Sequence, residues 1–174
     1  MSHIIPVHGK TPRFGESCRV MPTAVLTGDV VCGDECTFWF HAVVRGDVNT
    51  ICLGDRVNVQ DGACLHCTYR RHALTIGSRV SIGHHAIVHG CTIGDDVLIG
   101  MGAIVMDGAH VESGTLIAAG AVVTQGTRCT SGWIYAGTPA RPIKELSEEA
   151  FRQEVGRIAE AYPMYASWYG GVES

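Results

Sequence analysis

The sequence predicts an all-β solenoid followed by a short C-terminal helix, and three observations predict it. The first is an apolar residue at every sixth position. Ile93, Ile99, Val105, Val111, Ile117 and Val123 keep that step, and Ile76, Ile82 and Val88 keep it upstream. The second is a small or apolar residue two places earlier, as at Ala86, Val97, Ala103, Ala109 and Ala121. The third is a glycine directly after many of the repeating residues, as at Gly77, Gly83, Gly94 and Gly100. Six residues turn a helix face by about 240°, so no helix holds this period on one side. Short strands with a turn every six residues do hold it. Alternation sends the repeating residue and the one two before it inward, and glycine relieves the turn. Three strands then make a triangular coil of about 18 residues, and stacked coils share one apolar core. A sandwich or closed barrel would show alternating strands at spacings of about 8–12 residues instead.

The elements follow in chain order. Val20, Leu26, Cys32, Phe38 and Val44 set the first coils, and Leu53, Val59 and Leu65 continue them. Two insertions break the beat: Val44 to Leu53 is a step of nine and Leu65 to Ile76 a step of eleven. Each is expected as a bulge at a corner. After the coils, the stretch from Gly132 to Leu146 reads as an extended exit segment. Phe151, Val155, Ile158, Tyr162, Tyr165 and Tyr169 then form one stripe of an amphipathic helix. Ser147 is its expected N-cap, Glu148 and Glu149 suit the first turn, and Pro163 is expected to kink or divide it. The chain thus divides into a solenoid domain over 1–145 and a helix and tail over 146–174 that pack on it.

Composition narrows the function. The 174 residues suffice for one domain with a substantial core, and a net charge of −4 offers no basic patch for nucleic acid. The N-terminal MSHIIPVHGKTP has an apolar run of two, so neither a signal peptide nor a membrane span is expected. Without an export signal, the eight cysteines are expected as reduced thiols in a cytoplasm. Cys18, Cys36 and Cys91 fall on inward small-residue positions and Cys32 on a repeating one, so they read as core filler. Cys64 and Cys67 form a CxxC with no second pair to complete a zinc knuckle, and Cys67 is expected to begin the second bulge.

The chemistry concentrates in SIGHHAIVHGC, residues 81–91. With the two insertions placed at corners, Val44, Leu65 and Val88 fall on one face of successive coils. The residues that follow them are Arg45, His66 and His89. Neighbouring coils lie about 4.8 Å apart, so His66 and His89 become stacked neighbours able to grip one ion. His84 follows Ile82 by two, on the preceding face, with Asp61 in the equivalent place one coil earlier. It stands on the order of 15 Å from the stacked pair, far beyond a Zn–N bond of about 2.0–2.1 Å. A second subunit around a threefold axis would be needed to bring a His84 to the pair. His85 reads as incidental.

The combination of Arg45-Gly46-Asp47, Gln60-Asp61-Gly62, His66, and His84 with His89 resembles the γ-class carbonic anhydrases and their close bacterial homologues. The repeat itself resembles that of the hexapeptide, left-handed parallel β-helix proteins over roughly residues 11 to 145, and the left hand comes from that resemblance. The resemblance implies a homotrimer with metal at its interfaces, ligated by His66 and His89 of one chain and His84 of the next. It implies Zn²⁺, with Fe²⁺ or Co²⁺ as alternatives, and hydration of CO₂ to bicarbonate by a metal-bound hydroxide. Gln60 is the expected orienting amide. Arg45 is expected to form an interfacial ion pair with Asp61 or Asp47. No membrane partner is expected. Aligning the motifs places Val48 and Tyr69 where well-known active members carry acidic residues, and neither titrates near neutral pH in its ordinary state. Two other readings share the fold: an acyltransferase using acyl-CoA with a histidine base, and a metal-binding scaffold without turnover.

Overall fold

The structure is a computed structural model that describes residues 3–169. The period of six becomes a three-faced parallel solenoid. The first face stacks the strands Arg19–Val20, Thr37–Phe38, Asn58–Val59, Ser81–Ile82, Leu98–Ile99, Leu116–Ile117 and Trp133–Ala136 in parallel. The extended exit segment Arg141–Glu145 pairs antiparallel with the last of these and ends the sheet. The other two faces belong to one eleven-stranded sheet, because the strands Val25–Cys32 and Val43–Leu53 run around a corner and serve both.

Register on the second face confirms the phase. Val44 stands beside Leu65, Leu65 beside Val88, Val88 beside Val105 and Val105 beside Val123. All five are fully buried, as are Val59, Ile82, Ile99 and Ile117 on the first face. These columns form one continuous core. Each residue is held by its neighbours above and below, as expected for a quasi-one-dimensional fold.

Both insertions sit at corners. Opposite Gly28 stands Gly46, and opposite Val30 stands Ile51, so residues 47–50 face only Asp29. The backbone pairing closes again at once, and the bulge is an irregularity inside a single strand. The second insertion folds as a tight turn whose ends, Thr68 and His72, meet in an antiparallel bridge. Cys67 directly precedes that turn, where the second insertion was expected to begin. It is 1% exposed, and its thiol donates to the Thr50 carbonyl at 3.5 Å, so the start of one insertion rests on the end of the other.

The helix differs from expectation in where its regular winding is interrupted. Ser147 caps it, its Oγ accepting from the Ala150 N–H at 3.2 Å. A short α-turn Glu148–Ala150 then leads into a π-helical segment, Phe151–Gly156, and an α-helix, Arg157–Ser167. Pro163 lies inside that last helix without dividing it. The irregularity falls upstream. Packing explains the continuity past Pro163: Tyr162, Tyr165 and Ala166 gather around Trp39 and Met21, with the Tyr162 ring edge-on to Trp39 at 5.1 Å. These contacts lie on both sides of the proline, and the helix runs through it undivided.

Candidate metal centre

His66 and His89 sit in register on adjacent strands, Cys64–His66 and Ile87–His89. Their side chains point outward because each follows an inward aliphatic residue by one. His66 Nδ1 lies 3.0 Å from His89 Nε2. The remaining nitrogen of each ring meets a carboxylate: His66 Nε2 stands 3.1 Å from Asp47 Oδ1, and His89 Nδ1 stands 2.6 Å from Asp107 Oδ1. If each carboxylate accepts a ring N–H, the lone pairs of the other two nitrogens face one another. Two acceptors at that separation repel unless something electrophilic lies between them. Bonds of about 2.0–2.1 Å to one zinc ion span the gap, and carboxylates behind ligating imidazoles are the usual support for such an ion. The pair therefore fits a metal.

His84 lies elsewhere, on the corner after the first face. Its Nδ1 is 3.0 Å from Asp61 Oδ2, which leaves Nε2 for another partner. All three predicted histidines thus have one aspartate each. Within one chain, no three of the His, Cys, Asp and Glu side chains among the described residues converge to hold an ion. His85 takes the left-handed corner conformation, with φ of 57°. Its ring lies where a Cβ on Gly62 would project, so that glycine clears space for it.

The charges are arranged around His66. Arg45 Nη1 donates to Asp47 Oδ2 at 2.6 Å inside the chain, and Asp61 is taken by His84. Burial works to raise the Asp47 carboxyl, but hydrogen bonds from Arg45 and His66 hold it below its ordinary value. Burial pushes the His66 imidazole down, against the pull of Asp47, which favours the neutral form a metal needs. Asp107 is likewise held low, its burial outweighed by hydrogen bonds from Thr68 and His89.

Gln60 is 4% exposed and points toward a groove of about 520 Å³ that it shares with His84. Its Nε2 donates to Asn58 Oδ1 at 3.0 Å, and Asn58 Nδ2 donates to Ser81 Oγ at 2.7 Å. Leu98, Met101 and Leu116 line the solenoid side of this groove, and Ile158, Tyr162 and Tyr165 the helix side. Burial and the nearby Asp61 push the Tyr162 hydroxyl up to about 12, so it stays a neutral donor. Val48 packs on the core, whereas Tyr69 is exposed with the Arg70 guanidinium 4.9 Å from its ring centre. Sequence reasoning missed Asp107 and Thr68. Asp107 follows the repeating Val105 by two, as Asp61 follows Val59, and that shared phase was the available signal.

Known proteins resemble this chain in sequence and fold. Residues 90–125 match the family described as bacterial transferase hexapeptide (six repeats), and residues 73–106 match the hexapeptide repeat of succinyl-transferase. A carbonic anhydrase of Geobacillus kaustophilus is 42% identical over 98% of this chain and 92% of its own length. The chain belongs to the γ-class carbonic anhydrase-like family. A further relative, the mitochondrial gamma carbonic anhydrase 1 of Arabidopsis thaliana, is 38% identical over 94% of this chain and 60% of its own. Among solved structures, a Bacillus cereus protein provisionally described as an acetyltransferase superposes with a TM-score of 0.94 at 38% identity, covering 99% of both chains. A hexapeptide transferase family protein of Anaplasma phagocytophilum gives 0.90 at 35%, over 96% of this chain and 98% of its own. The chain is thus a carbonic anhydrase-like lyase on a hexapeptide-repeat solenoid.

Proposed function

We propose that the protein hydrates CO₂ to bicarbonate at metal centres shared between the subunits of a homotrimer. The observation that carries this reading is that three imidazoles each have one nitrogen on an aspartate, while His66 and His89 turn the other toward each other and His84 leaves its Nε2 over. His66 and His89 of one chain and His84 of the partner subunit would hold the ion. Zinc in such a site supplies Lewis acidity that brings the pKa of a coordinated water to about 7, as it does in carbonic anhydrases. Fe²⁺ or Co²⁺ would fit the same nitrogens, since imidazoles alone do not choose among them.

The chain's own residues do the rest. Asp47, Asp61 and Asp107 fix which nitrogen of each histidine carries its proton. Gln60 has its Nε2 committed to Asn58, so its carbonyl oxygen is the end left to orient a ligand in the groove. Arg45 holds Asp47 in place behind His66, a positioning role in its own subunit. The apolar wall of Leu98, Met101 and Leu116 suits a nonpolar gas better than a charged product.

An outward column supports the trimer. Val25, Val43, Cys64, Ile87, Ile104 and Val122 stack in register on the second face beside Arg45, His66 and His89. Ile87 is 42% exposed and Met106, beyond Ile104, 40%. A contiguous apolar strip beside a ligand pair marks a surface meant to be covered. Eight free cysteines suit a reducing compartment such as the cytoplasm. No helix among the described residues is long and apolar enough to cross a membrane.

The test mixes chains. His84→Ala and His66→Ala homotrimers are each expected to lack metal and activity. Co-assembled trimers are expected to regain both, because an interface can pair an intact His66 with an intact His84. Failure of metal to return in the mixtures would sink the shared site. The descriptions of the two structural neighbours favour a second reading, acyl transfer from acyl-CoA. It predicts CoA binding that survives chelation, whereas full metal occupancy with no CO₂ turnover would point to a scaffold.

A further inference from the structure

Thr68 and Asp107 lie 39 residues apart in sequence, and neither touches the groove that holds Gln60 and His84. Thr68 Oγ1 donates to Asp107 Oδ2 at 2.6 Å, while the other carboxylate oxygen, Oδ1, meets His89 Nδ1. Both oxygens of Asp107 are therefore committed, and its plane is fixed by a hydroxyl from the second insertion. The space for this contact is reserved. Gly90, one coil before Asp107, has φ of 51°, and a Cβ there would overlap the Asp107 carboxylate. The first insertion delivers Asp47 to His66 in the same manner. Each break in the repeat thus places a group behind one of the two stacked imidazoles.

We infer that Thr68 and Asp107 are positioning residues that lock the His89 proton on Nδ1 and so aim its Nε2 at the His66 side. The inference deepens the proposed metal centre and rests on that reading for its metal-binding arm alone. Asp107 accepts the ring N–H. Thr68 denies the carboxylate the rotation that would let the imidazole turn over. The consequence is that the Thr68–His72 turn, outside the ligand set, tunes how tightly the site holds an ion.

Two measurements on the full-length protein test it. The first is the His89 tautomer in the metal-free protein, read from histidine ¹⁵N chemical shifts above pH 8. Wild type is expected to show Nδ1–H, and Asp107→Ala a mixture of both tautomers. The second is the Co²⁺ dissociation constant from chelator competition, with the visible spectrum recorded. Asp107→Ala is expected to weaken binding by about 10–100-fold. Thr68→Val should weaken it by about tenfold and alter the spectrum, while Thr68→Ser stays within about twofold of wild type. A merely structural threonine would lower the melting temperature without moving tautomer or spectrum. If Asp107→Ala does not fold, Thr68→Val and Thr68→Ser carry the test. An Nε2–H wild type, or a tautomer and affinity that ignore both substitutions, overturns the inference. Wild type that binds no Co²⁺ would overturn the metal centre, and the tautomer measurement would still decide the relay.

Discussion

Val48 and Tyr69 stand where the resemblance to active carbonic anhydrases leads one to expect acidic side chains. Val48 lies against the core and cannot titrate, and Tyr69 is 59% exposed beside Arg70. His72 is the nearest imidazole on the second insertion, and its ring lies over Gly108, next to Asp107. Turnover is therefore expected to rise several-fold with imidazole buffer at fixed pH and ionic strength, and a steeper dependence in His72→Ala would implicate that residue. Fast turnover that ignores buffer would refute this. Much of the site was legible in the residues because phase alone stacks His66 on His89. The partners of those histidines were less so. Arg45 was expected to bond Asp47 or Asp61 across an interface, and it takes Asp47 within the chain because the two outward side chains are two residues apart on one strand. Asp107 stayed hidden because a contact between residues 89 and 107 depends on which side chain rises toward its neighbour, and spacing does not carry that information.

The helix is the element whose sequence signals competed. Capping by Ser147 and the apolar stripe were readable, whereas Pro163 promised a break that packing prevents. Trp39 is the anchor: it is 7% exposed and meets Tyr162 and Tyr169 edge-on at 5.1 and 5.8 Å. Trp39→Ala is expected to cost about 3–5 kcal/mol of the helix's attachment, the usual scale for losing a buried aromatic. Far-UV circular dichroism should then show helical signal melting before the solenoid. A single cooperative transition, unchanged from wild type, would show that the anchor lies elsewhere. The π-helical segment Phe151–Gly156 has no counterpart in the sequence pattern. Phe151 and Val155, the first two residues of the stripe, lie inside it, and their step of four does not separate a π turn from an α turn, so periodicity passes over the defect.

At the scale of the whole molecule, the apolar column through Ile87 asks for a neighbour. Ile87→Glu puts a charge in the middle of that column, two residues before His89, while leaving the inward Val88 alone. Light scattering is expected to show loss of the trimer and metal analysis loss of the ion, with the melting of the isolated coils little changed. A trimer that persists with full metal would place the interface on another face. The solenoid itself was legible because one period, repeated, specifies both the strands and their stacking. Its handedness was not, since inward-facing residues repeat identically in either hand, and the left hand came from resemblance alone.

The register also makes the chain a ruler. Asp47, His66, His89 and Asp107 occupy successive coils, so position in sequence is height along the axis. From Thr92 onward the strands recur every eighteen residues, with Leu98 beside Leu116 and Ile104 beside Val122. An edit of that length adds or removes one storey and leaves everything below it in place. An edit of six turns the whole downstream chain by a third of a revolution, carrying the exit segment and its helix to a different side of the prism. The molecule therefore has a reading frame of its own, counted in coils, and the groove beside His84 exists only in one frame.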